Sequence, residues 1–174
     1  MQIIIVCECD SKSKSDYLYI KATIDKNFDL RAKNIKLSSI YLGGKGKWSK
    51  KGKKINSLIS QYGKNGESKV VFCLDYDNPI KTNNNEEINE KIDEYCKQEK
   101  YDLVWFNGNI EQVFLGRDVP RSKKTEEAER YSKNRKINDF DMNKISFEKI
   151  LLGIKGSNLL VVLNKLINKS KKEN

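Results

Sequence analysis

Four apolar segments stand out along the chain, and each has the length and composition of a buried β-strand. They are rich in β-branched and aromatic residues and alternate little with polar ones, which is typical of strands covered on both faces. The segments are residues 2–7, 35–42, 70–74 and 101–106. Apolar positions with helical spacing follow at residues 16–26, 55–62, 86–100 and 110–115. Strands that alternate with helices over short connections predict an α/β fold, in which helices flank a mainly parallel central sheet.

The last third of the chain has a different pattern. Residues 117–139 are charged and contain few apolar positions, so we expect a surface loop or a mobile helix there. Residues 142–154 and 158–167 have the apolar spacing of two further helices. We therefore divide the chain into a core, residues 1–116, and a C-terminal helical extension, residues 117–174, that packs on the same domain.

Polar residues mark the expected helix starts and loops. Ser15 can cap the first helix, and Asn109 can cap the short helix that follows the fourth strand. The three consecutive asparagines at residues 83–85 and the stretch of glycines and lysines at residues 43–54 are expected to be loops.

The chain contains no histidine, which excludes several kinds of chemistry. A Ser–His or Cys–His couple, a histidine-bound zinc ion and a histidine general base are all impossible. The four cysteines lack Cys-x-x-Cys spacing and fit structural thiols in a reducing cytoplasm. No apolar stretch approaches the roughly 20 residues that cross a bilayer, and the N-terminus lacks the features of a signal peptide. We expect a cytoplasmic protein without membrane contact.

Acidic residues follow two of the predicted strands. Glu8 comes directly after the first strand, whereas Asp75 and Asp77 come after the third. If these two strands are neighbours, the carboxylates converge on the edge of the sheet where ligands bind in parallel α/β folds. Converging carboxylates repel each other unless a divalent cation offsets their charge, and oxygen ligands suit Mg²⁺ or Mn²⁺. A carboxylate–metal site would also explain how a chain without histidine could hydrolyse a phosphodiester. We expect Asp10 to be a loop residue rather than a metal ligand.

A Glu after the first strand, followed two strands later by Asp-x-Asp, resembles the Toprim domain of primases, topoisomerases and OLD nucleases. This resemblance implies a Rossmann-like Toprim domain in which Glu8, Asp75 and Asp77 surround Mg²⁺. In this arrangement Glu8 is a metal ligand or the general acid/base, and the two aspartates are ligands. Cys9 stands where the family commonly has glycine.

The chain is also similar to RloB-like Toprim proteins over nearly its whole length. Three short motifs carry this similarity: Ser15-Asp16-Tyr17-Leu18-Tyr19, Asn107-Gly108-Asn109-Ile110-Glu111, and Ser157-Asn158 before an apolar helix. The resemblance implies that Asp16 could be a ligand of a second metal and that Glu111 could be catalytic. Both residues could equally be acids that favour a helix N-terminus.

The charge distribution is more informative than its total. The formal net charge is +10, but lysine, asparagine and isoleucine are encoded by AT-rich codons, so codon bias could explain part of it. Residues 43–54 hold six lysines and no acidic residue, which suits contact with phosphates, and Trp48 could stack on a base. The alternative is that these lysines are solvated surface residues that contact no phosphate. The predicted nucleic-acid-binding residues are Lys45, Lys47, Trp48, Lys50, Lys51, Lys53, Lys54, Arg117 and Arg121, with Arg130 and Arg135 in the same arginine cluster.

These features together favour a nuclease that uses Mg²⁺ or Mn²⁺ and acts on DNA or RNA. The resemblance implies a place in bacterial or phage conflict systems, where a partner protein could activate the site. A non-catalytic Toprim-type module that binds nucleic acid or another partner is the alternative. A receiver-like phosphoacceptor domain is disfavoured, because receivers need a hydroxyl residue after strand four and a lysine after strand five, whereas Asn107 follows strand four here.

Overall fold

A parallel β-sheet forms the centre of the computed structural model, which describes residues 1–77, 83–149 and 153–169. Its strands are β1 (Gln2–Cys7), β2 (Lys36–Tyr41), β3 (Ser68–Tyr76) and β4 (Asp102–Asn107). They are ordered β2-β1-β3-β4, and every neighbouring pair is parallel. The predicted α/β class and parallel sheet are therefore confirmed.

Helices cover both faces of this sheet. They are α1 (Ser15–Asn27), α2 (Gly52–Tyr62), α3 (Asn83–Gln98), α4 (Ile110–Leu115), α5 (Lys124–Lys133) and α6 (Leu159–Lys169). Buried residues of α1, α4, α5 and α6 form one hydrophobic cluster with the sheet, and α2 and α3 contribute to a second cluster on the opposite face. None of the helices in the described ranges is both long and apolar enough to span a membrane.

The central position of β1 explains why its sequence is apolar from Ile3 to Cys7. Ile3 and Ile5 belong to the cluster on one face, and Ile4 and Val6 belong to the cluster on the other. All six residues of β1 are buried, because the strand has a neighbour on each side and helices above and below. A strand in this position has no solvent-facing side that polar residues could occupy.

The segment from residue 117 to residue 139 is more ordered than its charge suggests. It contains α5, with a 3-10 turn before it (Arg121–Lys123) and another after it (Lys136–Asp139). Ala128 and Tyr131 are buried on the face of α5 that meets α1, and the ring of Tyr131 lies 5.0 Å from that of Tyr19. These two buried side chains dock the helix against α1, so the expectation of a surface loop is wrong and the alternative of a helix is the one present.

Three local predictions also differ from the structure. Residues 83–85 belong to α3 rather than to a loop. Ser15 is the first residue of α1 and donates to Asp16 instead of capping the helix. The helix expected over residues 142–154 is reduced to a 3-10 turn, Met142–Ile145, and residues 150–152 lie outside the described part. The chain folds back instead, because the amide of Phe147 donates to the Ser157 carbonyl at 3.0 Å and the Ser157 amide donates to the Lys144 carbonyl at 2.8 Å.

Candidate functional site

The strand order creates a crevice at the carboxyl ends of β1 and β3. The chain leaves β1 towards β2 and leaves β3 towards β4, so the connections that follow these two adjacent strands run in opposite directions. Ligands of open α/β sheets bind at such a switch point. Strands β1 and β3 are neighbours, with Cys7 paired to Cys73 near their carboxyl ends. Glu8 therefore meets Asp75 and Asp77 at one edge of the sheet, as the sequence predicted for neighbouring strands.

Glu8 is held at this crevice by the segment that follows β2. The Gly44 amide donates to the Glu8 carbonyl at 2.9 Å, and the Gly43 amide donates to the Cys9 carbonyl at 3.1 Å. Both glycines have positive φ angles, +71° at Gly43 and +118° at Gly44, which glycine adopts without strain. Burial raises the pKa of the Glu8 carboxyl; the nearby Lys45 ammonium opposes this rise and the charges of Asp16 and Asp77 add to it.

Asp16 faces the same segment from the first turn of α1. Its carboxylate accepts hydrogen bonds from the Cys9 amide at 2.8 Å and from the Ser15 hydroxyl at 3.0 Å. Only 7% of Asp16 is exposed. Burial raises the pKa of this carboxyl although both hydrogen bonds lower it. Asp16 is thus buried beside Glu8, as a site residue would be, and is not merely a solvated acid at a helix end.

Asp75 connects β3 to the start of α4. Its Oδ1 accepts a hydrogen bond from the Ile110 amide at 2.9 Å, and α4 is capped by Asn109 as predicted. Burial raises the pKa of Asp75 well above its usual range, and the charges of Asp16, Glu8 and Glu111 raise it further. This carboxyl therefore lies among the other acidic groups.

Glu111 is the most buried of these acids. None of its surface is exposed, its Oε2 accepts from the Lys124 ammonium at 2.9 Å, and its Oε1 has no hydrogen-bond partner. Burial raises the pKa of Glu111, and the hydrogen bond from Lys124 opposes the rise. Lys124 could not be singled out from the sequence, because it lies on α5, in the segment expected to be a surface loop or a mobile helix.

Asp77 makes an ion pair with Lys45. The Lys45 ammonium lies 2.7 Å from Asp77 Oδ2 and donates to the Asp75 carbonyl at 3.0 Å. Only 7% of the Lys45 side chain is exposed, against 46% of the Asp77 side chain. Lys45 was predicted to bind nucleic acid, but in this structure its charge is directed into the acidic site.

The rest of the basic segment, residues 43–54, is more ordered than expected. Residues Lys45–Lys51 form a 3-10 helix that continues into α2, so the flexible loop expected here is absent. Trp48 is partly buried, with its ring 5.0 Å from that of Tyr95, and would have to leave this contact to stack on a base. Lys51 is partly buried. The exposed lysines of the segment are Lys47, Lys50, Lys53 and Lys54.

The predicted arginine cluster is less available than its sequence suggests. Arg117 makes an ion pair with Glu127 at 2.9 Å, and Arg130 makes ion pairs with Glu126 and Glu127. Arg121 is exposed in the turn before α5. Two of the four arginines are therefore already opposed by nearby acids, whereas Arg121 and Arg135 are exposed.

The site as a whole carries more acidic than basic groups. Five carboxyl groups share it with the ammonium groups of Lys45 and Lys124. Oε2 of Glu8 and Oε1 of Glu111 are buried without hydrogen-bond partners, and carboxylate oxygens are the donors that Mg²⁺ prefers. Within the described ranges, however, no three acidic or thiol groups are arranged to hold an ion as they stand. The donor chemistry fits a divalent cation, and the two lysines occupy part of the acidic site.

Comparisons with protein-family models, with curated proteins and with solved structures found no match. Function is therefore inferred from the chemistry of this site.

Proposed function

We propose that this protein is a nuclease that hydrolyses phosphodiesters with the help of Mg²⁺ or Mn²⁺. The observation that carries the proposal is the group of five acids at the switch point of the sheet, contributed by the ends of β1 and β3 and by the first turns of α1 and α4. The pKa values of four of them are raised, by burial first of all. Acids kept in such an unfavourable setting are typical of functional sites.

In this proposal Glu8, Asp75 and Asp77 would hold the cation, and Asp16 would serve as a further ligand. A bound divalent cation lowers the pKa of water and stabilises charge on phosphoryl oxygens. Glu111 lies slightly apart, with one carboxylate oxygen paired to Lys124 and the other unpaired. Its Oε1 could therefore take up or release a proton during the reaction.

The exposed lysines beside the site support a nucleic-acid substrate. Lys47, Lys50, Lys53 and Lys54 lie in the segment whose first lysine, Lys45, contacts the acids. No acidic residue interrupts the chain between residue 43 and residue 66. A phosphate backbone lying along this surface would pass the carboxylates, and its affinity would fall steeply with salt.

The biological setting is part of the proposal as well. The resemblance to RloB-like and OLD-type Toprim nucleases favours a role in bacterial or phage conflict systems, with a possible partner protein of the same system. All four cysteines are free thiols, which favours the reducing cytoplasm.

A cleavage panel with two matched variants tests this function. Wild-type protein is incubated with single- and double-stranded DNA and RNA, tRNA included, in Mg²⁺, Mn²⁺ or EDTA. We expect Asp75→Asn to abolish cleavage and to keep nucleic-acid binding. Asp10→Asn is the control, because Asp10 is an exposed acid at the same edge of the sheet. Cleavage that persists in EDTA or in Asp75→Asn would contradict the proposal.

One observation favours a second candidate, a nucleic-acid-binding module without catalysis. Lys45 and Lys124 already pair with two of the five acids, as they would in a site that never takes up a metal. Such a module would bind nucleic acid with the same affinity in EDTA and in Mn²⁺, and would cleave none of the panel.

A further inference from the structure

Lys45 differs from every other lysine that the structure describes, because it alone is buried. Five further lysines follow it within ten residues, and those at positions 47, 50, 53 and 54 are exposed, as a phosphate-binding surface requires. Burying an ammonium group is costly unless acidic groups nearby offset the loss of hydration. The position of Lys45 therefore calls for a role that its exposed neighbours do not have.

The contacts of Lys45 show what offsets that cost. Its ammonium donates to the Asp77 carboxylate at 2.7 Å and to the Asp75 carbonyl at 3.0 Å. Its charge also acts on Glu8, which directly follows the neighbouring strand β1. One ammonium group thus touches two of the three residues assigned to the cation and lies close to the third.

Its surroundings hold the ammonium in this position. The chain approaches Lys45 through Gly43 and Gly44, whose amides are bonded to the segment after β1, and continues to Trp48, which packs against Tyr95. On the outer side the Asp77 carboxylate is half exposed. An ion can therefore reach Asp77 from solvent without any opening of the core.

We propose that Lys45 is the resident cation of this site and that a divalent metal ion exchanges with it on Asp77. The inference rests on the proposed function and concerns how the same site is loaded. Two cations on one carboxylate repel each other strongly at such short distances, so metal binding and the Lys45–Asp77 contact oppose each other. In the metal-free protein Lys45 offsets the acidic charge, and after exchange its ammonium turns to solvent beside the exposed lysines.

Chemical labelling of the wild-type protein tests the exchange directly. The full chain is treated with an amine-reactive acetyl ester, with and without saturating Mn²⁺, and acetylation of each lysine is measured by mass spectrometry. We expect Lys45 to be protected in EDTA and its labelling to rise about fivefold or more in Mn²⁺, since its ion pair is then broken. Lys50, an exposed lysine of the same 3-10 helix, should be labelled equally in both conditions.

Mn²⁺ affinity gives a second readout that does not depend on activity. Free Mn²⁺ is followed by electron paramagnetic resonance in titrations of wild type, Lys45→Met and Lys50→Met. Methionine keeps the apolar stem and removes the competing charge. We expect Lys45→Met to bind Mn²⁺ about tenfold more tightly or better, the gain expected from no longer breaking a charge-assisted hydrogen bond. Lys50→Met should change the affinity by less than about twofold, because exposed charges are screened by salt.

The outcomes separate this inference from the proposed function. The exchange is overturned, and the metal site is kept, if the wild type binds Mn²⁺ while Lys45 stays protected from acetylation. The same holds if Lys45→Met binds Mn²⁺ no more tightly than Lys50→Met does. Absence of Mn²⁺ binding by the wild type overturns the metal site and the exchange together. The labelling experiment needs no substitution, so it decides the matter even if Lys45→Met does not fold.

Discussion

Replacing Asp75 by asparagine should stabilise the metal-free protein, although the residue lies at the centre of the site. Asparagine keeps an oxygen that can accept the hydrogen bond from the Ile110 amide, 2.9 Å away in the wild type. It removes a negative charge that is buried among Asp16, Glu8 and Glu111. The substitution thus preserves the geometry and relieves the repulsion.

The sign and the pH dependence of this effect follow from the linkage between proton binding and folding. The pKa of Asp75 is raised above its ordinary value of 3.8, so the folded state retains a proton that the unfolded state has lost. Stability of the wild type therefore falls as pH rises from the unfolded pKa to the folded pKa, and stays lower above it. Each unit of upward shift costs about 1.4 kcal/mol at high pH. As the pH falls below 3.8 the carboxyl becomes protonated in the unfolded state as well, and the effect fades.

Thermal unfolding in EDTA at pH 8 and at pH 3.5 measures the difference. At pH 8 we expect Asp75→Asn to unfold a few degrees higher than the wild type, since each kcal/mol corresponds to roughly 2–4 °C for a chain of this size. At pH 3.5 the two proteins should unfold together. Mn²⁺ should stabilise the wild type more than the variant, because a ligand stabilises the state that binds it.

Asp10→Asn is the control for this prediction. The pKa of Asp10 is lowered by hydrogen bonds from the Ser13 and Lys12 amides, so its ionised form is favoured in the folded state. Removing that charge should leave stability unchanged or reduce it at pH 8. An Asp75→Asn variant that is less stable than the wild type at pH 8 in EDTA would refute the account of the acidic site.

Three further predictions concern catalysis, packing and binding. Glu111→Gln should lower the cleavage rate about 100-fold or more while nucleic-acid affinity is kept, since a proton-transferring group is lost; single-turnover rates and a binding titration measure both. Gly156→Ala should cost about 1–3 kcal/mol in urea unfolding, because the new Cβ would lie 2.1 Å from the Phe147 ring, whereas Gly46→Ala, with no atom within 4 Å, should cost far less. Lys54→Gln should reduce the slope of log affinity against log salt by about one, and an unchanged slope would exclude Lys54 from the phosphate contact.

Much of the fold could be predicted because burial leaves a clear pattern. The strand Gln2–Cys7 is apolar from Ile3 onwards since it is buried on both faces, and its predicted ends agree with the structure. The short helix Ile110–Leu115 also agrees, because Asn109 provides a local capping signal. In both cases the local sequence carries a signal strong enough to place the element.

The remaining elements depend on distant contacts. Helix α5 docks through Ala128 and Tyr131, which are too few to produce a periodic pattern. Residues 142–149 continue a helical spacing, but the backbone hydrogen bonds that join Lys144 and Phe147 to Ser157 keep the chain from continuing as a helix there. No sequence rule tells which of several lysines in a glycine-rich stretch will turn inwards, so the burial of Lys45 could not be foreseen.

In the candidate site, too, some positions could be predicted from the sequence and others depend on distant contacts. The positions of Glu8 and Asp75 follow from the strand order, because acids at the ends of adjacent parallel strands meet at one edge of the sheet. Lys124 reaches Glu111 from a helix that local sequence did not indicate. The balance between acids and lysines, on which the proposed metal uptake would depend, is therefore visible only in three dimensions.

Cleavage of labelled DNA and RNA by the wild type and by Asp75→Asn, each in Mn²⁺ and in EDTA, tests the central claim most directly. The account predicts cleavage by the wild type in Mn²⁺ alone and none by the variant, with both proteins binding the nucleic acid. Binding without cleavage in every condition, at an affinity that EDTA does not change, would contradict it.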